Sequence, residues 1–188
     1  MAEVYVFYAD GMEEIEALTP VDVLRRAGNT VVTVSVMGRR DVMGAHGIRI
    51  EADAVFENTD FTDGDLFVLP GGGDGMNNLR HYEPLCSLLC EKAEAGKRVA
   101  AICASPFILE KLGLLKGKKA TIYPTMSVHL KSSAYMKEQA VTDGLVTTGA
   151  GPGAAFDFSY ELVKLLNGEE ACRELRNGPC CTFNAKNP

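Results

Sequence analysis

The chain has 188 residues, of which 46% are hydrophobic, and a formal net charge of −6. That length suits one domain spanning residues 1–188, able to bury roughly 70% of its unfolded surface. The acidic balance argues against nucleic acid or an anionic membrane as the main partner, since both require a basic face, and no apolar run approaches the ~20 residues that span a bilayer.

Val4-Tyr5-Val6-Phe7-Tyr8 reads as a buried first strand, broken at Ala9-Asp10-Gly11. A helix follows from about Glu13 to Arg26, with Ile15, Leu18, Val21 and Leu24 expected to form its buried stripe. Thr30 to Val36 is the second strand, and Gly44 to Ile50 has the look of a hairpin arm. Asp65 to Leu69 is a buried strand that ends at Pro70-Gly71-Gly72-Gly73-Asp74-Gly75. Glu83 to Ala95 is helical and stops at Gly96. Val99 to Ile102 is a short strand, Phe107 to Leu112 a helix, and Ala120 to Tyr123 and Leu145 to Thr148 two further strands. After Gly149 to Gly153, Ala154 to Leu166 forms the last helix. Alternating strands and helices predict a mostly parallel sheet with helices on both faces.

The most informative stretch is Ile102-Cys103-Ala104-Ser105-Pro106. A strand runs into a cysteine, two small residues follow, and Pro106 is placed to open a helix. This is the layout of a nucleophile elbow with a thiol at its apex. A helix terminus beside that thiol is expected to lower its pKa, although a strand-end cysteine can also serve as a small core residue. In a parallel sheet, the ends at Gly71 to Gly75, Cys103 and Gly149 to Gly153 gather along one edge. The Pro70-Gly71-Gly72-Gly73 turn suits an oxyanion hole; without a following Gly-Lys-Ser/Thr it is not a P-loop.

Glu16 lies near the edge of the buried stripe. An inward carboxyl close to Cys103 would have a raised pKa and could donate a hydrogen bond or shuttle a proton. Glu13 and Glu14 read as acids that favour the start of a helix. Cys86 and Cys90 are four residues apart, either a metal or redox pair or simple core packing. No further His or Cys completes a zinc set, so no metal is expected. Cys180-Cys181 in the C-terminal tail could be redox-sensitive or uneventful. No secretory leader is visible, so reduced thiols in the cytoplasm are expected.

Several stretches, taken together and in order, resemble the ThiJ/PfpI superfamily, specifically its Parkinson-associated DJ-one branch. They are Gly11-Met12-Glu13-Glu14-Ile15-Glu16, Pro20 to Gly28, Leu69-Pro70-Gly71-Gly72, Ala100 to Pro106, Gly151-Pro152-Gly153 and Leu166-Asn167-Gly168. The resemblance implies a flavodoxin-like three-layer sandwich of the class I glutamine amidotransferase-like kind, usually a homodimer. It also implies Cys103 as reactive cysteine, Glu16 as its partner, and the N–H groups of Gly72 and Ala104 as oxyanion hole, with no cofactor. Activities implied are oxidative-stress sensing, a cofactor-free glyoxalase or deglycase acting on methylglyoxal-type aldehydes, chaperone action and, in a sister branch, proteolysis. The partner is then a small aldehyde or an oxidant.

The chain departs from that pattern at the pocket. Ala104 stands where the protease-like branch has His, which argues against proteolysis. Tyr123 aligns with the branch histidine that follows the elbow helix. Ala150 and His46 fall where the anion-pocket arginines would lie. Tyr123, His46 and Pro152 are therefore the expected pocket residues. Loss of the usual proton-transfer histidine tilts the reading towards a redox-responsive stress protein over the aldehyde enzyme. A binding module with a relic cysteine is the bland alternative.

Overall fold

The computed structural model describes residues 1–178; Cys180 and Cys181 lie outside the described residues. In chain order the elements are β1 (Glu3–Tyr8), α1 (Glu14–Arg26), β2 (Thr30–Ser35), β3 (Asp41–Met43), β4 (Arg49–Glu51), β5 (Ala54–Val55) and β6 (Leu66–Leu69). They continue with α2 (Gly73–His81), α3 (Glu83–Glu94), β7 (Arg98–Ile102), α4 (Pro106–Lys111), β8 (Lys119–Ala120), β9 (Ala134–Tyr135), β10 (Ala140–Asp143), β11 (Val146–Gly149), α5 (Ala155–Asn167) and α6 (Glu169–Asn177).

The main sheet has the order β10-β11-β7-β6-β1-β2-β5. All its neighbours pair in parallel except β10 with β11. The central strands are apolar throughout, as expected when both faces are covered: Val4 to Tyr8, Leu66 to Leu69 and Val99 to Ile102 are all buried. The β1→β2 and β6→β7 crossovers run in opposite directions along the sheet. Right-handed connections therefore put α1 on one face and α2–α3 on the other, and α5 packs beside α1. This is the expected flavodoxin-like layering.

Register decides where the chemistry falls. Leu69 pairs with Ala101 and Ile102 with Gly149. Extended by this register, Gly71, Cys103 and Ala150 emerge level with one another at one sheet edge, one residue past Pro70.

Four local expectations need correction. Ile15 and Leu18 are exposed, at 52% and 43%, and α1 buries Glu14, Glu16, Ala17, Pro20, Val21, Val23 and Leu24 instead. Its first turn faces the sheet edge, so carboxylates turn inward where aliphatic residues were expected. The Gly44 to Ile48 stretch is the turn between antiparallel β3 and β4, closed by the Gly44 N–H donating to the Ile48 carbonyl at 2.9 Å. Gly73 to Gly75 are the first residues of α2, not a free loop. The strand expected at Ala120 to Tyr123 ends at Ala120 and pairs with β9 in a separate two-stranded sheet. The sequence reading also missed α6.

Candidate active site

Cys103 occupies the corner between β7 and α4. Its φ of 63° is the one left-handed backbone conformation outside glycine among the described residues. Two hydrogen bonds hold it there: its N–H donates to the Gly149 carbonyl at 2.9 Å, and its carbonyl accepts the Tyr123 N–H at 2.8 Å. A non-glycine residue in this conformation costs about 1–3 kcal/mol and persists only where its surroundings fix it. The side chain is buried, at 9% exposure.

Glu16 comes from the first turn of α1 and is fully buried. Its Oε2 accepts the Gly71 N–H at 2.9 Å. Its Oε1 is also buried and has no hydrogen-bond partner of good geometry among the described residues. The Cys103 thiol nevertheless lies close enough to act on the carboxyl as a neighbouring hydrogen-bonding group. Gly71 makes room for the pair, because a Cβ there would stand 2.4 Å from Glu16 Oε2 and 2.6 Å from Cys103 Cβ.

Gly72 has φ 89° at the start of α2, and a Cβ on it would meet the Gly11 carbonyl oxygen at 2.3 Å. That conformation turns the Gly72 N–H, with that of Ala104, towards the Cys103 sulfur. A buried hydroxyl ties the two turns together: Ser105 Oγ donates to the Pro70 carbonyl at 2.5 Å.

Burial pushes the Glu16 carboxyl up to about 7. Burial and the adjacent Glu16 carboxylate push the Cys103 thiol up to about 12, against the pull of the Gly72 and Ala104 N–H groups. The expectation that a helix terminus alone would acidify this thiol is not met. α4 has only six residues, and the buried carboxyl opposes its dipole. The two values belong to the pair, which holds a single proton between about 7 and about 12.

The expected pocket residues divide. Tyr123 is pinned through its backbone to Cys103, and its half-exposed ring lies against Gly151, whose Cβ would stand 3.3 Å from it. His46 turns instead to Glu14: its N–H donates to Glu14 Oε1 at 2.8 Å, and its Nδ1 lies 2.7 Å from Oε2. Pro152 opens a short 3-10 turn after β11 and is half-buried. Neither His46 nor Pro152 has a described hydrogen bond to Cys103. Cys86 and Cys90 sit half-buried on α3, with burial raising both thiols. Sequence reasoning missed Ser105 and the Glu14–His46 pair. Nothing in local periodicity signals either, since both contacts join distant segments.

The sequence pattern of the DJ-1/PfpI family matches residues 2–165. The chain belongs to the DJ-1/PfpI family. It is 34% identical to protein dj-1beta of Drosophila melanogaster, over 95% of this chain and 97% of that protein. The Drosophila DJ-1beta crystal structure superposes with a TM-score of 0.91, covering 97% of this chain and 99% of that one. The oxidized DJ-1 of Toxoplasma gondii, 32% identical, gives 0.90 over 94% and 96%. A protein named a deglycase from Thermococcus kodakarensis is 32% identical over 87% of this chain and 99% of its own length. Protein DJ-1 homolog A of Arabidopsis thaliana is 38% identical over 92% of this chain. The chain spans less than half the length of the Arabidopsis relatives it matches, 44% and 39%.

Proposed function

We propose that this DJ-1/PfpI protein is a redox-responsive stress protein whose switch is Cys103. The observation that carries the reading is the buried Glu16 Oε1, without a well-formed partner, beside a sulfur that faces two backbone N–H groups. When the proton passes from the sulfur to Glu16 Oε1, Cys103 becomes a thiolate served by the Gly72 N–H, the Ala104 N–H and the carboxyl O–H. Attack of the thiolate on a peroxide forms an S–O bond, breaks the O–O bond and releases water, giving the sulfenic form. A second peroxide yields the sulfinate. The same donors then stabilise the added oxygens, and Glu16 Oε1 gains a partner. A relative described as oxidized supports the reading.

The second reading is aldehyde chemistry, favoured by the deglycase-named relative. Cys103 would add to a methylglyoxal-type carbonyl, Gly72 and Ala104 would hold the oxyanion, and Glu16, titrating at about 7, would move the proton. Tyr123, half-exposed at the corner, is then the available proton donor. The proposal also includes a cytoplasmic homodimer without cofactor. Exposed Ile15 and Leu18 on α1 offer such a dimer an apolar face. Among the described residues, no helix is long and apolar enough to cross a membrane.

The test is graded peroxide treatment followed by peptide mass spectrometry, with lactate production from methylglyoxal measured alongside. Gain of two oxygens confined to Cys103, with slow lactate formation, is the expected result. Fast lactate formation lost in Cys103→Ser would favour the aldehyde enzyme, and oxidation spread over all cysteines would sink the switch.

A further inference from the structure

The net charge of −6 conceals a polarity along the chain. The stretch from 111 to 137 contains Lys111, Lys116, Lys118, Lys119, Lys131 and Lys137 and not one Asp or Glu. It therefore carries +6, and the rest of the chain sets 13 Lys and Arg against 25 Asp and Glu, a balance of −12.

The fold brings residues 116–120 alongside residues 131–137. β8 lies parallel to β9, with Lys119 opposite Ala134, and paired strands are about 4.8 Å apart. Gly117 N–H donates to the Ser132 carbonyl and Met136 N–H to the Ala120 carbonyl, both at 2.8 Å. Lys116, Lys118 and Lys119 thus run alongside the segment flanked by Lys131 and Lys137. All six lysines are exposed except Lys118, which is half-buried. Among the described residues none of the six makes an ion pair, whereas Lys92, Lys97 and Lys164 elsewhere all do. Glu110, at the border, is already engaged by the N–H groups of Lys131 and Ser132 and the hydroxyl of Ser133. Val128 projects from the same stretch at 72% exposure.

We propose that the β8–β9 face and the 3-10 turn over Pro124–His129 form a docking surface for an acidic segment of another protein, with Val128 as its apolar contact. Six ammonium groups without ion pairs repel one another and so do not favour the compact state; Lys111 Nζ lies over the Phe107 ring at 5.2 Å, and Asp143 reaches the face through its Oδ2, which accepts the Lys119 N–H at 2.9 Å. The complement of the lysines is a short stretch of carboxylates. A long polyanion such as duplex nucleic acid, or an extended anionic membrane, would run beyond the face and meet the −12 remainder. A short acidic segment stays within a Debye length, about 8 Å at physiological salt, of the lysines. The surface is independent of Cys103 and survives if the redox reading fails.

Fluorescence anisotropy with a labelled peptide of glutamates around a central leucine tests this. An oligonucleotide of equal charge and phosphatidylserine vesicles serve as the other arms. Saturable peptide binding that fades with added salt is expected. The combined Lys116→Gln, Lys119→Gln, Lys131→Gln and Lys137→Gln variant should bind about tenfold or more weakly. The matching Lys→Arg variant should bind as the wild type does, and both should keep the wild-type circular dichroism. Val128→Ser should weaken the leucine-containing peptide more than an all-glutamate one. Equal binding by wild type and the glutamine variant overturns the proposal. So does an absence of saturable binding at low salt, and tighter binding of the oligonucleotide or vesicles would assign the face to those partners instead.

Discussion

Ser105 Oγ and the Pro70 carbonyl, 2.5 Å apart and buried, join the turn that carries Cys103 to the turn that carries Gly72. The contact spans two strands of the sheet and fixes how far the Gly72 N–H stands from the sulfur. Ser105→Ala leaves a buried carbonyl unpaired, at about 1–3 kcal/mol. Thermal unfolding should show that loss, and Cys103 oxidation by peroxide should slow in the folded variant. An unchanged oxidation rate would show that the tie is structural only.

The Glu16 carboxyl should titrate at about 7 rather than at the ordinary 4.5, read from its side-chain carbon shift. Burial is the largest cause, so Cys103→Ser should leave Glu16 well above 4.5. A folded-state value above the unfolded one stabilises the protein at low pH, and that contribution is lost as pH rises from 4.5 to about 7. Glu16→Gln should remove this slope from a plot of stability against pH.

His46 is held above its ordinary 6.5 by the Glu14 carboxylate, and Glu14 is held below its ordinary value by His46 hydrogen bonds against the opposing effect of burial. The His46 contribution is therefore fully present below 6.5 and is lost as pH rises through its folded value. Hydrogen exchange in the Gly44–Ile48 turn should quicken as pH rises through that value, beyond the intrinsic pH dependence of exchange. Glu14→Gln should bring the His46 titration back down. A His46 midpoint unmoved by that change would mean that the pair does not form.

Gly71→Ala should disrupt the site at its centre, since the new methyl would sit on both Glu16 and Cys103. Overpacking of this kind costs about 1–3 kcal/mol. Tm should fall, and the Glu16 titration should move towards that of a solvated carboxyl. A variant with wild-type Tm and titration would refute the described packing.

Tyr123→His should raise methylglyoxal turnover if the aldehyde reading holds, because general acid–base assistance is worth about 10²–10⁴-fold in rate. Sulfinate formation needs no such group and should be unchanged. Robust wild-type turnover that Tyr123→His fails to improve would assign proton transfer to another residue.

The sheet was legible because unbroken apolar runs such as Val4 to Tyr8 and Leu66 to Leu69 leave few alternatives to buried parallel strands. Cys103 and Glu16 were legible as neighbours through their motifs. Helix periodicity failed on α1, where Ile15 and Leu18 face outward and Glu14 and Glu16 inward. A site that needs buried carboxylates overrides the amphipathic pattern in the turn that serves it. The thiol's electrostatics could not be read locally either. A helix terminus argues for an acidic thiol, and burial of the sulfur, with Glu16 beside it, reverses the sign. α6 was missed because its charged sequence shows a single buried side chain, Cys172.

The left-handed backbone at Cys103 has a bearing on how such a sequence would drift. Glycine adopts φ near +63° without penalty, whereas any residue with a Cβ is strained by about 1–2 kcal/mol. At this position Cys103→Gly should unfold at a higher temperature than Cys103→Ala, the reverse of the order found in most helices and strands. Backbone strain alone thus favours a silent glycine at the corner, against the burial of the sulfur. A sulfur at this corner carries a backbone cost that only its burial or its chemistry can offset.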